Sequence, residues 1–254
     1  MIDCKPVSTP LANHFMLSKS QCPKTEAEMI KMNDVPYASV IGSIMYAMIS
    51  TRHDLSFAIS MLSRFMSNPG SEHWTALKWV LRYLNSSLSV GLKYSKRTTM
   101  LDLVGFVDSN FAGDKDTRKS TTAYYFTLGG NCISWKSQLQ PIVALSSTEA
   151  EYIAIADVFK EAVWLQGMLS EANLSDGKVI IYSDSQSAIH LSKNPVYHER
   201  TKHVDVRFHF VRDLVAQGVV ELKKVANEEN PTDMGTKVIT PAKFNHCLKL
   251  LSVE

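Results

Sequence analysis

The spacing of apolar residues changes near residue 95. From Val35 to Met66, VPYASVIGSIMYAMISTRHDLSFAISMLSRFM, they recur at three- and four-residue steps, which predicts helices, with Asp54 as N-cap of the second. Asn68-Pro69-Gly70-Ser71 is a stop signal. EHWTALKWVLRYLNSS predicts a third amphipathic helix with Trp74, Leu77, Val80, Leu81 and Leu84 on one face. Residues 1–34 are polar and irregular and read as a loop-rich lead-in.

Beyond the change of period, β-formers take over. LDLVGFVDSN reads as a strand. TTAYYFTLGG and NCISWKSQ read as a hairpin turning at Gly129-Gly130. SSTEAEYIAIADVFKEAVWLQGMLSEAN predicts a long helix with Ser147 or Thr148 as N-cap. KVIIYSDS has the short apolar run of a buried central strand, SQSAIHLSKN is a short helix, and HVDVRFHFVRDLVAQG is another. VVELKKVA is a strand, and NPTDMGTK opens a last helix. The order β-β-β-α-β-α-α-β-α makes an α/β fold, a mixed five-stranded sheet with flanking helices, preceded by a small helical domain. The expected division is 1–34 lead-in, 35–95 helical segment and 96–254 α/β domain.

Composition narrows the function. Hydrophobic residues make up 45% of the 254 and charged residues 20%, enough for a sizeable core. A net charge of +2 excludes a histone-like basic arm and an acidic disordered chain, so any nucleic-acid contact must come from local patches. No apolar run is long enough for a membrane span, and MIDCKPVSTPL lacks a signal-peptide pattern. Cys4, Cys22, Cys132 and Cys247 are scattered without a CxxC pair, which predicts free thiols. His203 and His209, and His190 and His198, miss the spacing of a helical zinc pair and read as core or surface residues.

Carboxylates carry the candidate chemistry. Asp108 ends the first strand, Glu149 and Glu151 lie in the first turns of the long helix, Asp184 ends the fourth strand and Asp233 begins the last helix. Taken singly, each reads as a cap or turn residue. Pairing of the first and fourth strands would set Asp108 beside Asp184. Crowded carboxylates repel one another unless cations neutralise them, and an oxygen-only ligand set suits Mg²⁺ or Mn²⁺ over zinc. Two such ions about 3.5–4 Å apart activate a water and stabilise the leaving oxygen of a phosphodiester.

In combination, GFVDSNFAGD, TRKSTTAYYFTLGGNCISWKSQLQ, VALSSTEAEYIA, YSDSQSAIHLSKNPVYHERTKHVDVRFHFVRD and NPTDMGTK make residues 104–240 resemble the ribonuclease H domain of copia-type (Pseudoviridae) retrotransposon Pol polyproteins. Residues 35–93 resemble the thumb/connection segment preceding that domain. No Y-x-D-D tract of a polymerase palm occurs, nor an integrase. The resemblance implies a ribonuclease-H-like fold and two-Mg²⁺ hydrolysis of RNA in RNA–DNA hybrids, leaving a 5′ phosphate and a 3′ hydroxyl. It implies Asp108, Asp184, Asp233 and one helix glutamate as catalytic metal ligands. Glu151 is favoured by its E-Y-I-A-I setting, with Glu149 as rival; Asp205 and Asp213 are weaker candidates. It also implies the palm of a longer Pol as a partner, and the cytoplasm (in a virus-like particle) or the nucleus as location.

Hybrids are read by shape, phosphate and 2′-OH. Candidate contacts are Arg118, Lys119 and Ser120 after the first strand, Lys136 beside Trp135, and Arg200 and Lys202 in a basic loop that also holds His198 and His203; each also reads as a solvated charged loop. Three departures from the family pattern stand out. Asn110 and Phe111 replace an acid and a Trp, Ser183 replaces a Cys, and VANEENPTD lacks the His found in related domains, leaving a water or Glu228/Glu229 to assist product release. A catalytically weak Pol remnant that binds nucleic acid or protein is the alternative. An integrase- or resolvase-like nuclease is disfavoured by a glutamate only 41–43 residues after Asp108, on the first helix of this domain.

Overall fold

The computed structural model describes residues 4–94, 102–174, 177–193 and 205–253, with the side chains of 205–208 excepted. Five strands form one sheet in the order β3-β2-β1-β4-β5, where β1 is Leu103–Asn110, β2 Thr121–Leu128, β3 Asn131–Leu139, β4 Val179–Ser183 and β5 Val220–Lys224. β1 to β3 are antiparallel neighbours, and β4 runs parallel to both β1 and β5. The hairpin turns at Gly129 and Gly130, with φ of 57° and 85°. Both central residues of such a two-residue turn need positive φ, which glycine supplies without strain.

The helices are α1 (Glu26–Asn33), α2 (Tyr37–Ser50), α3 (Ser56–Ser63), α4 (Ser71–Ser86), α5 (Ser147–Glu171), α6 (Gln186–Lys193), α7 (Asp205–Ala216), α8 (Asp233–Thr236) and α9 (Pro241–Leu250). None among the described residues is long and apolar enough to cross a membrane. The sheet is covered on both faces. On one, Tyr124 and Phe126 join Ile153, Val158 and Phe159 of α5 and Ile189 of α6. On the other, Tyr125 and Cys132 join Ile41, Leu62 and Leu77 of α2 to α4 and Phe244 and Leu248 of α9. Alternation along β2 sends neighbouring aromatics to opposite cores, which is why TTAYYFTL is buried on both sides. The helical segment therefore shares a core with the sheet.

Several local expectations are corrected. Ser146, not Ser147 or Thr148, caps α5, accepting from the Glu149 amide. Asp54 is no N-cap: it lies in a 3₁₀ turn, His53–Leu55, where its carboxylate pairs with Arg52 at 2.8 Å and accepts from Tyr83 Oη at 2.7 Å. Arg52 also donates to Ser87 Oγ and O, so the buried charges are well satisfied. The lead-in contains α1, capped by Thr25 with Glu28, and contributes buried Leu11 and Leu17 to the second core. The last acidic segment forms only the four-residue α8, and α9 follows it. The 95/96 boundary, Arg200, Lys202, His198 and His203 lie outside the described residues, as does the side chain of Asp205.

His53 is fully buried between the rings of Tyr125 and Trp135, with both ring nitrogens lacking a hydrogen-bond partner. Burial pushes its pKa from 6.5 down to about 4. Its neutral form is favoured inside, so the stability it contributes is complete above pH 6.5 and is lost as pH falls towards 4, at up to about 1.4 kcal/mol per pH unit. Denaturant titrations at pH 7 and pH 5 should show a larger drop for wild type than for His53→Leu. Equal drops would refute this account.

Candidate active site

The parallel pairing of β1 and β4 sets Val107 opposite Ser183. Asp108, within β1, and Asp184, directly after the end of β4, follow at neighbouring positions. α5 crosses the same region and brings in Glu151. One carboxylate oxygen from each of Asp108, Glu151 and Asp184 lies within 4.8 Å of the others. Glu149 is not in this group: its Oε2 accepts from the Leu145 amide at 2.9 Å, so it closes the turn before α5. Of the two glutamates the sequence left open, Glu151 faces the acids.

These carboxyls resist ionisation. Burial, then the nearby Asp108 and Asp184 charges, push Glu151 from 4.5 up to about 10. Burial also raises Asp108, opposed by the Thr236 hydrogen bond and aided by the Asp184 charge. Asp184 is raised by burial and then by Asp233. Glu151 Oε2 is buried with no hydrogen-bond partner. An orphaned carboxylate oxygen, facing two other acids in an all-oxygen set, fits a hard divalent cation.

The fourth acid sits beside this group in a different setting. Asp233 has no exposed side-chain surface, and Lys237 Nζ lies 2.5 Å from its Oδ1 while Lys243 pairs with Oδ2. α8 is pressed onto the sheet: a Cβ on Gly235 would stand 2.7 Å from Ala123 Cβ and 2.9 Å from Tyr125 Oη. Asn230, fully buried, donates to Val107 O at 3.1 Å and accepts from Thr232, tying the approach to α8 to β1.

Sequence reasoning missed the polar residues that hold the acids. Thr236 Oγ1 donates to Asp108 Oδ2 at 2.5 Å. Asn110 accepts from the Thr121 amide at 2.7 Å and donates to Thr236 O at 2.6 Å. An aspartate at 110 has no hydrogen to give that carbonyl, so the departure at this position changes a bond as well as a charge. Gln140, buried, places Nε2 within hydrogen-bond distance of Ser109 Oγ, Thr122 Oγ1 and Ala150 O, joining β1, β2 and α5.

The proposed substrate contacts divide. Arg118 is exposed and Lys119 half-buried, on a loop strapped to the helical segment by Arg64–Asp114 (2.9 Å) and to the lead-in by Asp116, which accepts from Ser18 Oγ and the Lys19 amide. Ser120 is corrected: it is fully buried, its hydroxyl accepts from the Ala112 amide, and no nucleic acid can reach it. Lys136 lies 3.6 Å from Asp157, over the Tyr124 ring. Glu229 lies 3.4 Å from His246, so a histidine absent from the loop before Asp233 stands next to it from α9.

Over all 254 residues the chain is 49% identical to the retrovirus-related Pol polyprotein from transposon TNT 1-94 of Nicotiana tabacum, covering 19% of that protein. It is 35% identical, again over its full length, to that from transposon RE2 of Arabidopsis thaliana, covering 17%. Over its whole length the chain is thus homologous to one stretch of the retrovirus-related Pol polyproteins of plant transposons. It spans about a fifth of the length of these relatives. A 134-residue stretch, 53% of the chain, is 51% identical to secreted RxLR effector protein 161 of Plasmopara viticola and covers 94% of it. No family model matches. Among solved structures, a foamy viral protease-reverse transcriptase in complex with RNA/DNA hybrid aligns with 80% of this chain and 27% of its own, at 16% identity and a TM-score of 0.50. The fold is ribonuclease-H-like.

The crowding has a measurable consequence. Glu151's raised pKa means that its favourable contribution, complete below pH 4.5, is lost as pH rises towards 10. In chelator at pH 8, Glu151→Gln should melt about 2–4 °C above wild type, the shift that 1 kcal/mol gives a chain of this size, and the gap should shrink at pH 5. A variant melting at or below wild type at pH 8 would show that the acids do not repel.

Proposed function

We propose that the chain hydrolyses the RNA strand of RNA–DNA hybrids, as the ribonuclease H part of a retrotransposon reverse transcriptase. The observation that carries this reading is the convergence of Asp108, Glu151 and Asp184, with a buried, unpartnered Glu151 oxygen, on a sheet of this fold. Asp108, Glu151 and Asp184 would hold Mg²⁺, with Mn²⁺ as substitute, and Asp233 borders the same space. A cation held there would supply activation of the attacking water and stabilisation of the departing 3′ oxygen of the phosphodiester.

The chain's own residues prepare that chemistry. Thr236 fixes the rotation of the Asp108 carboxylate, and Asn110 fixes Thr236 in turn. Gln140 holds α5 against β1 and β2, which keeps Glu151 over the strand ends. Arg118 and Lys119, on the braced β1–β2 loop, would supply phosphate contacts. Lys136 can take that role only by leaving Asp157. The palm of a longer Pol would be the neighbour of the helical segment, and a virus-like particle or the nucleus the setting.

A second reading, a weakly active binding module, has one observation in its favour: both oxygens of Asp233 are already paired with lysines. A labelled hybrid separates the two. Wild type should cut the RNA strand only with Mg²⁺ or Mn²⁺, and Asp184→Asn should lose at least about a hundredfold in rate while still binding hybrid. Binding without cleavage by wild type would favour the module, and cleavage of plain duplex DNA would point to another nuclease class.

A further inference from the structure

The four acids differ in what balances their charge. Asp108, Glu151 and Asp184 face one another, and Glu151 Oε2 has no partner at all. Asp233 is buried more completely, yet each of its oxygens has an ammonium group at ion-pair distance: Lys237 at Oδ1, without an aligned hydrogen bond, and Lys243 at Oδ2. The two lysines are held differently. Lys243 comes from α9, is mostly covered, and also reaches Asn227 O. Lys237 follows α8 directly, four residues after Asp233, and its side chain is half-exposed. The fields of Asp108 and Asp184, as well as that of Asp233, act on the Lys237 ammonium. It is thus a cation at the rim of the acidic group, on a long flexible stem with solvent to move into.

We propose that Lys237 is a tethered counter-ion that sets how many divalent cations the acidic site accepts. With its ammonium on Asp233, the site takes one ion tightly, at Asp108, Glu151 and Asp184. A second ion, needing Asp233, enters only when Lys237 swings away. Two like charges cannot share one buried carboxylate oxygen cheaply, so each second-ion event includes the displacement of Lys237. A charged substrate phosphate at the rim would give the displaced ammonium a new partner, which ties entry of the second ion to arrival of the hybrid.

This inference rests on the nuclease reading of the acidic site, and one measurement tests them separately. Mn²⁺ binding to the whole metal-free chain is followed by titration calorimetry and by the EPR signal of free Mn²⁺, with no substrate present. Wild type should bind one ion tightly and a second at least tenfold more weakly. Lys237→Met should bring the second site to within about threefold of the first, and Lys237→Arg, which keeps the charge, should behave as wild type. Thermal melts of the three metal-free proteins establish that each is folded; a role confined to bracing α8 would change melting without changing the number of ions. Identical stoichiometry and affinities in wild type and Lys237→Met would overturn the counter-ion role and leave the nuclease reading standing. Absence of Mn²⁺ binding in every protein would overturn both.

Discussion

The register between β1 and β4 is the constraint on which the site depends. Because Val107 is paired with Ser183, the residue that follows each of them is an aspartate. A slip of one residue would turn one of the two to the opposite face of the sheet. The register is itself enforced by burial, since Val107, Val179 and Ile181 have no exposed surface and belong to the core under α5. A buried and a half-buried acid at adjacent strand ends are costly, and the fold holds Asp108 there with a hydrogen bond from Thr236 and Glu151 over it with a cap-stabilised α5. The electrostatic strain is stored in the metal-free protein and is relieved by whatever cation the site receives.

The helical segment matters to the site although none of its residues is among the acids. Ser56 Oγ and Tyr125 Oη lie 3.0 Å apart, Arg64 pairs with Asp114, and Tyr83 packs edge-on against Phe244. These contacts join α3 and α4 to β2, to the β1–β2 loop and to α9. α8 is seated between the sheet and that second core, with Met234 buried in it. Asp233, at the start of α8, is thus positioned by the packing of both parts of the chain.

Much of this was legible in the amino-acid sequence, for identifiable reasons. Strand ends rich in polar turn residues marked Asp108 and Asp184, and the two-residue glycine turn marked the hairpin. The choice between Glu149 and Glu151 turned on which face of α5 meets the sheet, and the pattern alone left it open. Asp54 looked like a cap because caps and buried ion pairs use the same residue types; only Tyr83 and Ser87, about thirty residues on, separate the two. α9 and the buried Leu11 and Leu17 went unread because their apolar residues pack against distant elements. Lys237 and Lys243 were invisible as partners of Asp233 for a related reason: a lysine near an acid in sequence says nothing about which of its oxygens faces water.

The two-sided burial of the sheet has a practical corollary. Tyr125, Cys132, Met234, Phe244 and Cys247 are shielded by α2 to α4, and the bridge between Leu92 and Val253 fastens that shield near the chain's far end. A fragment trimmed to start at residue 96 would bare this greasy underside to solvent and clump, even with every acid intact. A recombinant version of the sheet-bearing portion is therefore best served by keeping the preceding helices attached.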